Sequence, residues 1–386
     1  MARLKVDGDW RRHEGAQALM GAIAASGFRS LFVGGCVRNA VLGAPVLDID
    51  IATDALPQTV MGLADAVGFK PVPTGVDHGT VTVVANGHPL EVTTFRKDVE
   101  TDGRHAVVTF SDDVAEDAAR RDFTMNALYA EADGTVVDPL GGLPDLHARR
   151  VRFVGDPGTR IREDYLRILR YFRFHAWYGD PDAGIDAEAL AACAEGAEGL
   201  AGLSAERIGQ ETLKLLGARD PAPAIGAMQQ SGILMRVLPG ADPAALAPLV
   251  HLEDLIGAEP DPIRRLAALG GEDVSDRLRL SKRQFKGLET LREGLGSEGG
   301  LEETAWRYGR EQGQDIVLLR AAVFSAPLPA DLNARLDTGA GAVFPVRGAD
   351  LAGKLEGPAI GRKLDELQRR WIDSGFTLDR ETLLKG

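Results

Sequence analysis

The chain has 386 residues, 44% hydrophobic and 26% charged, which is material for two or three ordinary globular domains. Its net charge of −13 excludes a protein coated in basic nucleic-acid-binding surface, while leaving room for a local patch that binds phosphates. No apolar run approaches the roughly 20 residues of a membrane span, no signal-peptide core is present, and Cys36 and Cys193 supply neither a disulfide framework nor zinc spacing. A reducing cytoplasm, with no membrane, disulfide or zinc, is the expected setting.

In chain order, the first informative element is the apolar run Leu31 to Val33, which reads as a short strand. Gly34 and Gly35 at its end let the backbone turn tightly and approach a ligand with no Cβ in the way. Cys36 to Leu42 reads as a short helix, stopped by Gly43 and Pro45. Its first turn offers unpaired N–H groups and Arg38 adds a cation, so Gly34, Gly35 and Arg38 form a candidate triphosphate cradle. In Val46 to Thr53, alternation sends Leu47, Ile49 and Ile51 to one strand face and Asp48 and Asp50 to the other. Side-by-side carboxylates suit Mg²⁺, which takes a few carboxylate oxygens plus phosphate oxygens and keeps several waters. In a two-metal site, with ions roughly 3.5–4 Å apart, one ion activates an attacking hydroxyl and the other holds the leaving pyrophosphate. A glycine turn next to such a pair points to nucleotidyl transfer.

Thr80 to Val84 and Leu90 to Phe95 read as strands joined by an Asn86-Gly87 turn. Glu91 on the second of them is a candidate third carboxylate beside Asp48 and Asp50. The charged segment Lys97 to Ser111, centred on Gly103, reads as a mobile loop. Arg120 to Leu128 reads as a helix on which Asp122 and Asn126, four residues apart, share a stripe. A carboxylate and an amide side by side can satisfy the hydroxyls of a ribose, with Arg121 in reach of a triphosphate. After about Ile161 the strand signals fade and apolar residues recur at helical spacing to Leu384.

Glu163 to Arg173 reads as one helix, with Asp164 and Arg167 a turn apart and able to present an acceptor and a donor to one flat ligand edge. Cytosine shows a donor at N4 beside an acceptor at N3, and adenine a donor at N6 beside an acceptor at N1, so one Asp/Arg pair fits both. Guanine and uracil show the reversed pattern, at a cost of about 1–3 kcal/mol for each buried polar group left unpaired. If this pair reads the base, CTP and ATP are accepted while GTP and UTP are rejected. Between Arg149 and Arg173 eight arginines face three acids, an excess suited to polyphosphate and RNA backbone. Arg277 to Arg283 with Lys286, and the glycine-rich tail Phe344 to Ile360, are weaker candidates for RNA contact.

Six segments occur in the order seen in class II CCA-adding enzymes and bacterial poly(A) polymerases, which the first 215 or so residues closely resemble. They are Gly34-Gly35-x-Val37-Arg38, Asp48-x-Asp50, Arg120-Arg121-Asp122-Phe123-Thr124-x-Asn126-Ala127-Leu128, Asp138-Pro139-x-Gly141-Gly142-x-x-Asp145-Leu146, Glu163-Asp164-x-x-Arg167 and Ser204-x-Glu206-Arg207. The resemblance implies an α+β fold: a polymerase-β-like nucleotidyltransferase head with a mixed sheet over 1–153, a helical neck over 154–216, and a helical body and tail that contact tRNA over 217–386. It also implies that Asp48 and Asp50 bind Mg²⁺, that Gly35, Arg38 and Arg121 hold the triphosphate, and that Asp122 and Asn126 meet the ribose. Asp138 to Leu146 would act as a hinge. Asp164 and Arg167 would template the base, supported by Arg170 and Arg173. Asn39 departs from the aspartate usual in the family, and Tyr165 stands where proline is common. The expected activity is template-independent completion of the 3′ CCA of tRNA from CTP and ATP, with the 97–111 loop or the hinge shifting between nucleotides. The alternatives are a poly(A) polymerase, a CC- or A-adding enzyme, and a non-catalytic RNA-binding protein.

Overall fold

The computed structural model describes residues 4–102, 105–353 and 355–385, with only the backbone for 98–102 and 105–108. The chain forms two compact units, 1–239 and 240–386.

Among the described residues the first unit has nine short strands: β1 (Ser30–Val33), β2 (Ile49–Thr53), β3 (Lys70–Gly75), β4 (Thr80–Ala85), β5 (His88–Thr94), β6 (Arg96–Asp102), β7 (His105–Phe110), β8 (Tyr129–Ala130) and β9 (Val136–Val137). Seven of them make one sheet in the order β3-β4-β5-β2-β1-β8-β9, while β6 and β7 pair separately. Within the large sheet β2 and β5 run parallel and the other neighbours antiparallel, so the sheet is mixed as expected. Period-two alternation decides which face is apolar. Val81, Val83, Leu90 and Val92 are fully buried, as is Ile51 of β2, and helices Glu14–Ala25 and Pro57–Ala66 pack on this side. Leu31, Ala52, Phe95 and Tyr129 form a separate core cluster.

The turn between β4 and β5 has Asn86 and Gly87 both at positive φ, 52° and 82°, the two-residue geometry whose twist matches that of paired strands. Three local expectations give way. The segment expected to be a loop after Arg96 is a hairpin, with Arg96 opposite Phe110 and Asp102 opposite His105. Its charge outweighed its β-branched Val99, Thr101, Val107, Val108 and Thr109 in the sequence reading, although those residues favour strands. Gly103, at the centre of the expected loop, lies outside the described residues. Arg120 to Leu128 is no helix: Val114–Ala119 ends at Arg120, and a 3₁₀ turn at Thr124–Asn126 leads into β8. Glu163 to Arg173 is broken, because Asp164 is extended (φ −155°, ψ 105°) between helices Pro157–Glu163 and Leu166–Tyr178. The break is stabilised locally: Asp164 Oδ1 accepts from the Leu166 N–H at 3.1 Å, which competes with continuing the helix.

The second unit is helical, from Leu246–Ile256 to Arg380–Lys385. Its interior includes Arg265, 1% exposed, and Arg264, both paired with the buried Glu253 at 2.7 Å. Trp371, Leu367, Val346, Leu351 and Leu383 form another of its cores. Among the described residues no helix is long and apolar enough to cross a membrane.

Candidate active site

The glycine turn is built as the sequence suggests. Gly34 sits at φ 68°, ψ −117°, a conformation that a side chain would strain, and helix Gly35–Leu42 begins directly after it. Two guanidinium groups flank the turn. A Cβ built on Gly34 would lie 3.5 Å from Arg121 Nη1, and one built on Gly35 would lie 3.8 Å from Arg38 Nη2. Arg121 is held by Asp117 and by the Tyr129 hydroxyl, at 2.9 and 3.0 Å. Burial alone would lower its pKa, but Tyr129 and Asp117 reverse the sign and keep it a fixed cation.

The carboxylates lie next to this turn. Asp50 is on β2, in parallel register with Glu91 on β5, so the two side chains share a face on adjacent strands. Asp48 is exposed and lies just before the strand, which begins at Ile49. The apolar alternation also breaks off there: Leu47, expected on the buried face, is 89% exposed, because the segment before Ile49 is not paired into the sheet. Burial pushes the Asp50 pKa up to about 6, with Glu91 and Asp48 adding to the rise and Arg121 and Arg38 opposing it. The four other predicted side chains therefore each act on Asp50. An acid kept costly in its charged form by burial and by neighbouring acids fits a hard divalent cation. Among the described residues no group of three or more His, Cys, Asp or Glu side chains is arranged to enclose a metal. The donor set suits a cation that completes its shell with phosphate oxygens and water rather than a protein cage.

Of the ribose and base candidates, Asp122, Asp164, Arg167 and Arg170, though not Asn126, meet in a cleft of about 380 Å³ also lined by Arg96, Arg120, Arg121, Leu166 and Arg207. Asp122 is buried, accepts from Asn126 Nδ2 at 2.9 Å and from Arg170 Nε at 2.7 Å, and keeps its pKa low despite burial because Arg170 and Asn126 stabilise its charge. Asp122 and Asn126 are neighbours as predicted, through the 3₁₀ turn rather than a helical stripe. Asp164 Oδ2 accepts from Arg207 at 2.7 Å, and Arg167 donates to Glu163 at 2.5 Å and to the Arg160 carbonyl at 2.8 Å. Arg173 does not line the cleft; it donates to Glu211 at 2.5 Å. Arg96, Arg120 and Arg207 are cleft residues to which the sequence reading gives no role. Arg120 and Arg207 have a signal, since they stand in the quoted Arg120-Arg121-Asp122 and Ser204-x-Glu206-Arg207 segments.

The expected hinge is a closely bonded turn. Asp138 accepts from the N–H groups of Gly142 and Leu143 at 2.8 and 3.0 Å, and Asp145 accepts from the Thr124 hydroxyl at 2.8 Å. A Cβ on Gly142 would come within 2.4 Å of the Thr124 carbonyl oxygen. Gly142→Ala is therefore expected to lower stability by about 1–3 kcal/mol, read as a lower urea midpoint with an unchanged slope. The two departures from the family pattern also have local accounts. Tyr165 has φ −61°, which proline would also adopt, and its ring covers Gly199. Asn39 accepts from Arg38 and donates to the Pro45 carbonyl at 2.8 Å.

Residues 30–152 match the family described as Poly A polymerase head domain, and residues 184–245 match the probable RNA and SrmB-binding site of polymerase A. The chain is 33% identical to CCA tRNA nucleotidyltransferase 1, mitochondrial, of Mus musculus, over 96% of this chain and 89% of that protein. It is 32% identical to the CCA-adding enzyme of Limosilactobacillus fermentum over 96% of each. The solved structure of the Bacillus stearothermophilus CCA-adding enzyme in complex with CTP superposes with a TM-score of 0.73 at 31% identity, over 94% of this chain and 93% of that one. With relatives of this identity spanning nearly its whole length, the chain belongs to the family of CCA-adding enzymes, the CCA tRNA nucleotidyltransferases.

Proposed function

We propose that this chain completes the 3′ CCA end of tRNA from CTP and ATP, without a nucleic-acid template and with Mg²⁺ as its divalent ion. The observation that carries the reading is the juxtaposition of Asp50 and Glu91 with the two guanidinium groups flanking the Gly34-Gly35 turn. The tRNA 3′ hydroxyl attacks the α-phosphorus of the nucleotide, the bond to the β-phosphate oxygen breaks, and pyrophosphate leaves with the hydroxyl proton lost. Bound at Asp48 and Asp50, Mg²⁺ supplies the positive charge that favours the ionised hydroxyl and the departing pyrophosphate. Glu91 is the third carboxylate at this point. Gly34, Gly35, Arg38 and Arg121 hold the triphosphate, and Asp122 and Asn126 meet the ribose.

Asp164 accepts from N4 of cytosine or N6 of adenine, and Arg167 donates to N3 or N1. A carboxylate oxygen has two lone pairs, so Asp164 can serve the base while Arg207 keeps it aimed. Arg170 and Arg173 hold the surrounding acids, Asp122 and Glu211. The β6–β7 hairpin or the Asp138–Leu146 turn adjusts the site between CTP and ATP. The second unit and the neck contact the tRNA body. The reaction is assigned to the cytoplasm, in keeping with Cys36 and Cys193 both being buried free thiols.

Incubation with tRNA lacking CCA, ending in C, or ending in CC, with CTP, ATP or both, tests the reading on one gel. Stepwise completion and arrest after CCA supports it. Long adenosine tails mark a poly(A) polymerase, the reading favoured by the name of the head-domain family. Arrest after CC, or extension of only the CC-ended tRNA, marks a partial-CCA enzyme, and no extension with any substrate marks an RNA-binding protein. Chelation is expected to abolish incorporation, and added Mg²⁺ to restore it. Incorporation that persists in chelator removes the metal from the scheme.

A further inference from the structure

Trp177 is 49% exposed and belongs to helix Leu166–Tyr178, whose first turns carry Arg167 and Arg170 in the cleft. It stands seven residues beyond Arg170, so the two share a helix face about 10 Å apart. That face meets helix Ala205–Leu216, on which Arg207, Glu211 and Lys214 recur at spacings of four and three. The contacts between them form a seam: Arg207 donates to Asp164 at 2.7 Å, Arg173 to Glu211 at 2.5 Å, and Trp177 Nε1 to the Lys214 carbonyl at 2.8 Å. Trp177 is the far end of a line that begins at the base-reading residues. Its one polar group is satisfied, which fixes the ring by that edge while half of the residue stays in water.

Cations gather at this end. Lys214 is exposed, makes no ion pair among the described residues, and falls within the RNA-binding match over 184–245. The Arg149 carbonyl accepts from the Asp180 N–H at 3.1 Å, which brings Arg149 and Arg150, both exposed and also without ion pairs among the described residues, to the end of the same helix. Asp180 is the acid nearest along the chain, and its Oδ1 accepts from the Asp182 N–H at 3.0 Å. In a chain of net charge −13, unpaired cations beside a fixed, exposed indole suit a strand that offers phosphates and flat bases. We infer that Trp177 and Lys214 form a docking surface for the unpaired 3′ end of the RNA: an upstream base stacks on the Trp177 ring and Lys214 holds a neighbouring phosphate, while the terminal nucleotide lies at the cleft. The inference rests on the nucleotidyl-transfer reading of that cleft. Such a grip is indifferent to which base it holds, because every base has a flat face.

Two RNA hairpins with the same stem, one blunt and one with an unpaired 3′ end terminating in CC, test it against the full chain. By fluorescence anisotropy, Trp177→Ala is expected to bind the overhang hairpin about tenfold more weakly, the worth of one base stacked on an aromatic ring, and Trp177→Phe to recover most of the loss. Lys214→Ala is expected to weaken it about threefold and to lower the slope of log affinity against log salt by about one. Parent and Trp177→Ala are expected to bind the blunt hairpin equally. In turnover with ATP, Trp177→Ala raises KM for the overhang hairpin and leaves KM for ATP and kcat unchanged. With 2-aminopurine placed at each unpaired position in turn, the parent is expected to quench one of them, and Trp177→Ala to release it.

Equal affinity of the parent and Trp177→Ala for the overhang hairpin overturns the proposal. So does an equal loss on both hairpins, which a purely structural role would give, or a fall in dimer fraction at constant RNA affinity, which marks a contact between copies. If Trp177→Ala does not fold, quenching in the parent decides, and its absence at every unpaired position overturns the proposal. If the parent binds the overhang hairpin but transfers no nucleotide, the functional reading fails on its own. If the parent completes CCA and Trp177→Ala matches it in every constant, only the present inference fails.

Discussion

Asp50→Asn is expected to abolish nucleotidyl transfer, on the order of a thousandfold or more, through loss of the metal's charge at the reacting phosphate, and to make the protein more stable. The second effect follows from where Asp50 sits. In the fold its pKa rises from an ordinary 3.8 to about 6, first through burial and then through Glu91. An acid whose folded pKa lies above its unfolded value destabilises the native state once it must ionise. The penalty is absent below about pH 4, where both states are protonated. It grows as pH rises toward 6 and is fully present above that. Discounted for its partial exposure, it amounts to about 1–2 kcal/mol at pH 7. Melts in chelator across pH 4 to 8 should show the variant above the parent at neutral pH, with the gap closing toward pH 4. Divalent metal should raise the parent's melting temperature and leave the variant's unchanged. A variant that melts below the parent throughout would remove the idea of a strained acid.

Arg167→Ala and Asp164→Ala should each lower kcat/KM for CTP and ATP by about 10- to 100-fold, the worth of one buried polar contact left unmade. Both should also narrow the preference over GTP and UTP. The two are not equivalent controls. Asp164 also accepts from the Leu166 N–H and from Arg207, so its removal frees a helix end and strands a cation in the cleft. A stability loss of about 1 kcal/mol is expected from the lost cap alone. Arg167 leaves Glu163 still paired with Arg160, so its loss reports more directly on the base. Single-nucleotide incorporation with all four triphosphates checks both. Unaltered selectivity in Arg167→Ala would mean that the base is read elsewhere in the cleft.

What the sequence makes legible here is set by the range of the forces involved. The Asn86-Gly87 turn, the start of a helix after Gly35 and the burial alternation in β4 and β5 depend on residues within a few positions of one another, and all appear as expected. The helices after about Ile161 also follow from apolar spacing that repeats over long stretches, whereas the mixed sheet is what the family resemblance implies. The misses occur where a contact remote in sequence decides local structure. Arg120 to Leu128 has helical spacing, but Thr124 is claimed by Asp145 and by the Arg152 carbonyl, and β8 is claimed by β1. Asp164 breaks its helix where Arg207, 43 residues away, anchors the carboxylate. Asp122 and Asn126 still meet, because a 3₁₀ turn and an α-helix both bring residues a few positions apart together. Arg96 carries no local sign of cleft duty, since a charge looks the same in sequence whether it faces solvent or a ligand.

The pairing of β2 with β5 has a consequence for which changes this chain tolerates. Asp50 and Glu91 are opposite one another because peptide hydrogen bonds align two parallel strands, so the placement of their Cα atoms is a property of the backbone lattice. Substitutions can alter the acids one at a time, but a single-residue slip in the register of Ile49–Thr53 would turn Asp50 toward the apolar face and bring a hydrophobic neighbour opposite Glu91's side of the sheet. Length variation is consequently barred from this strand and free to accumulate in exposed connections such as residues 181–184, which the lattice does not count.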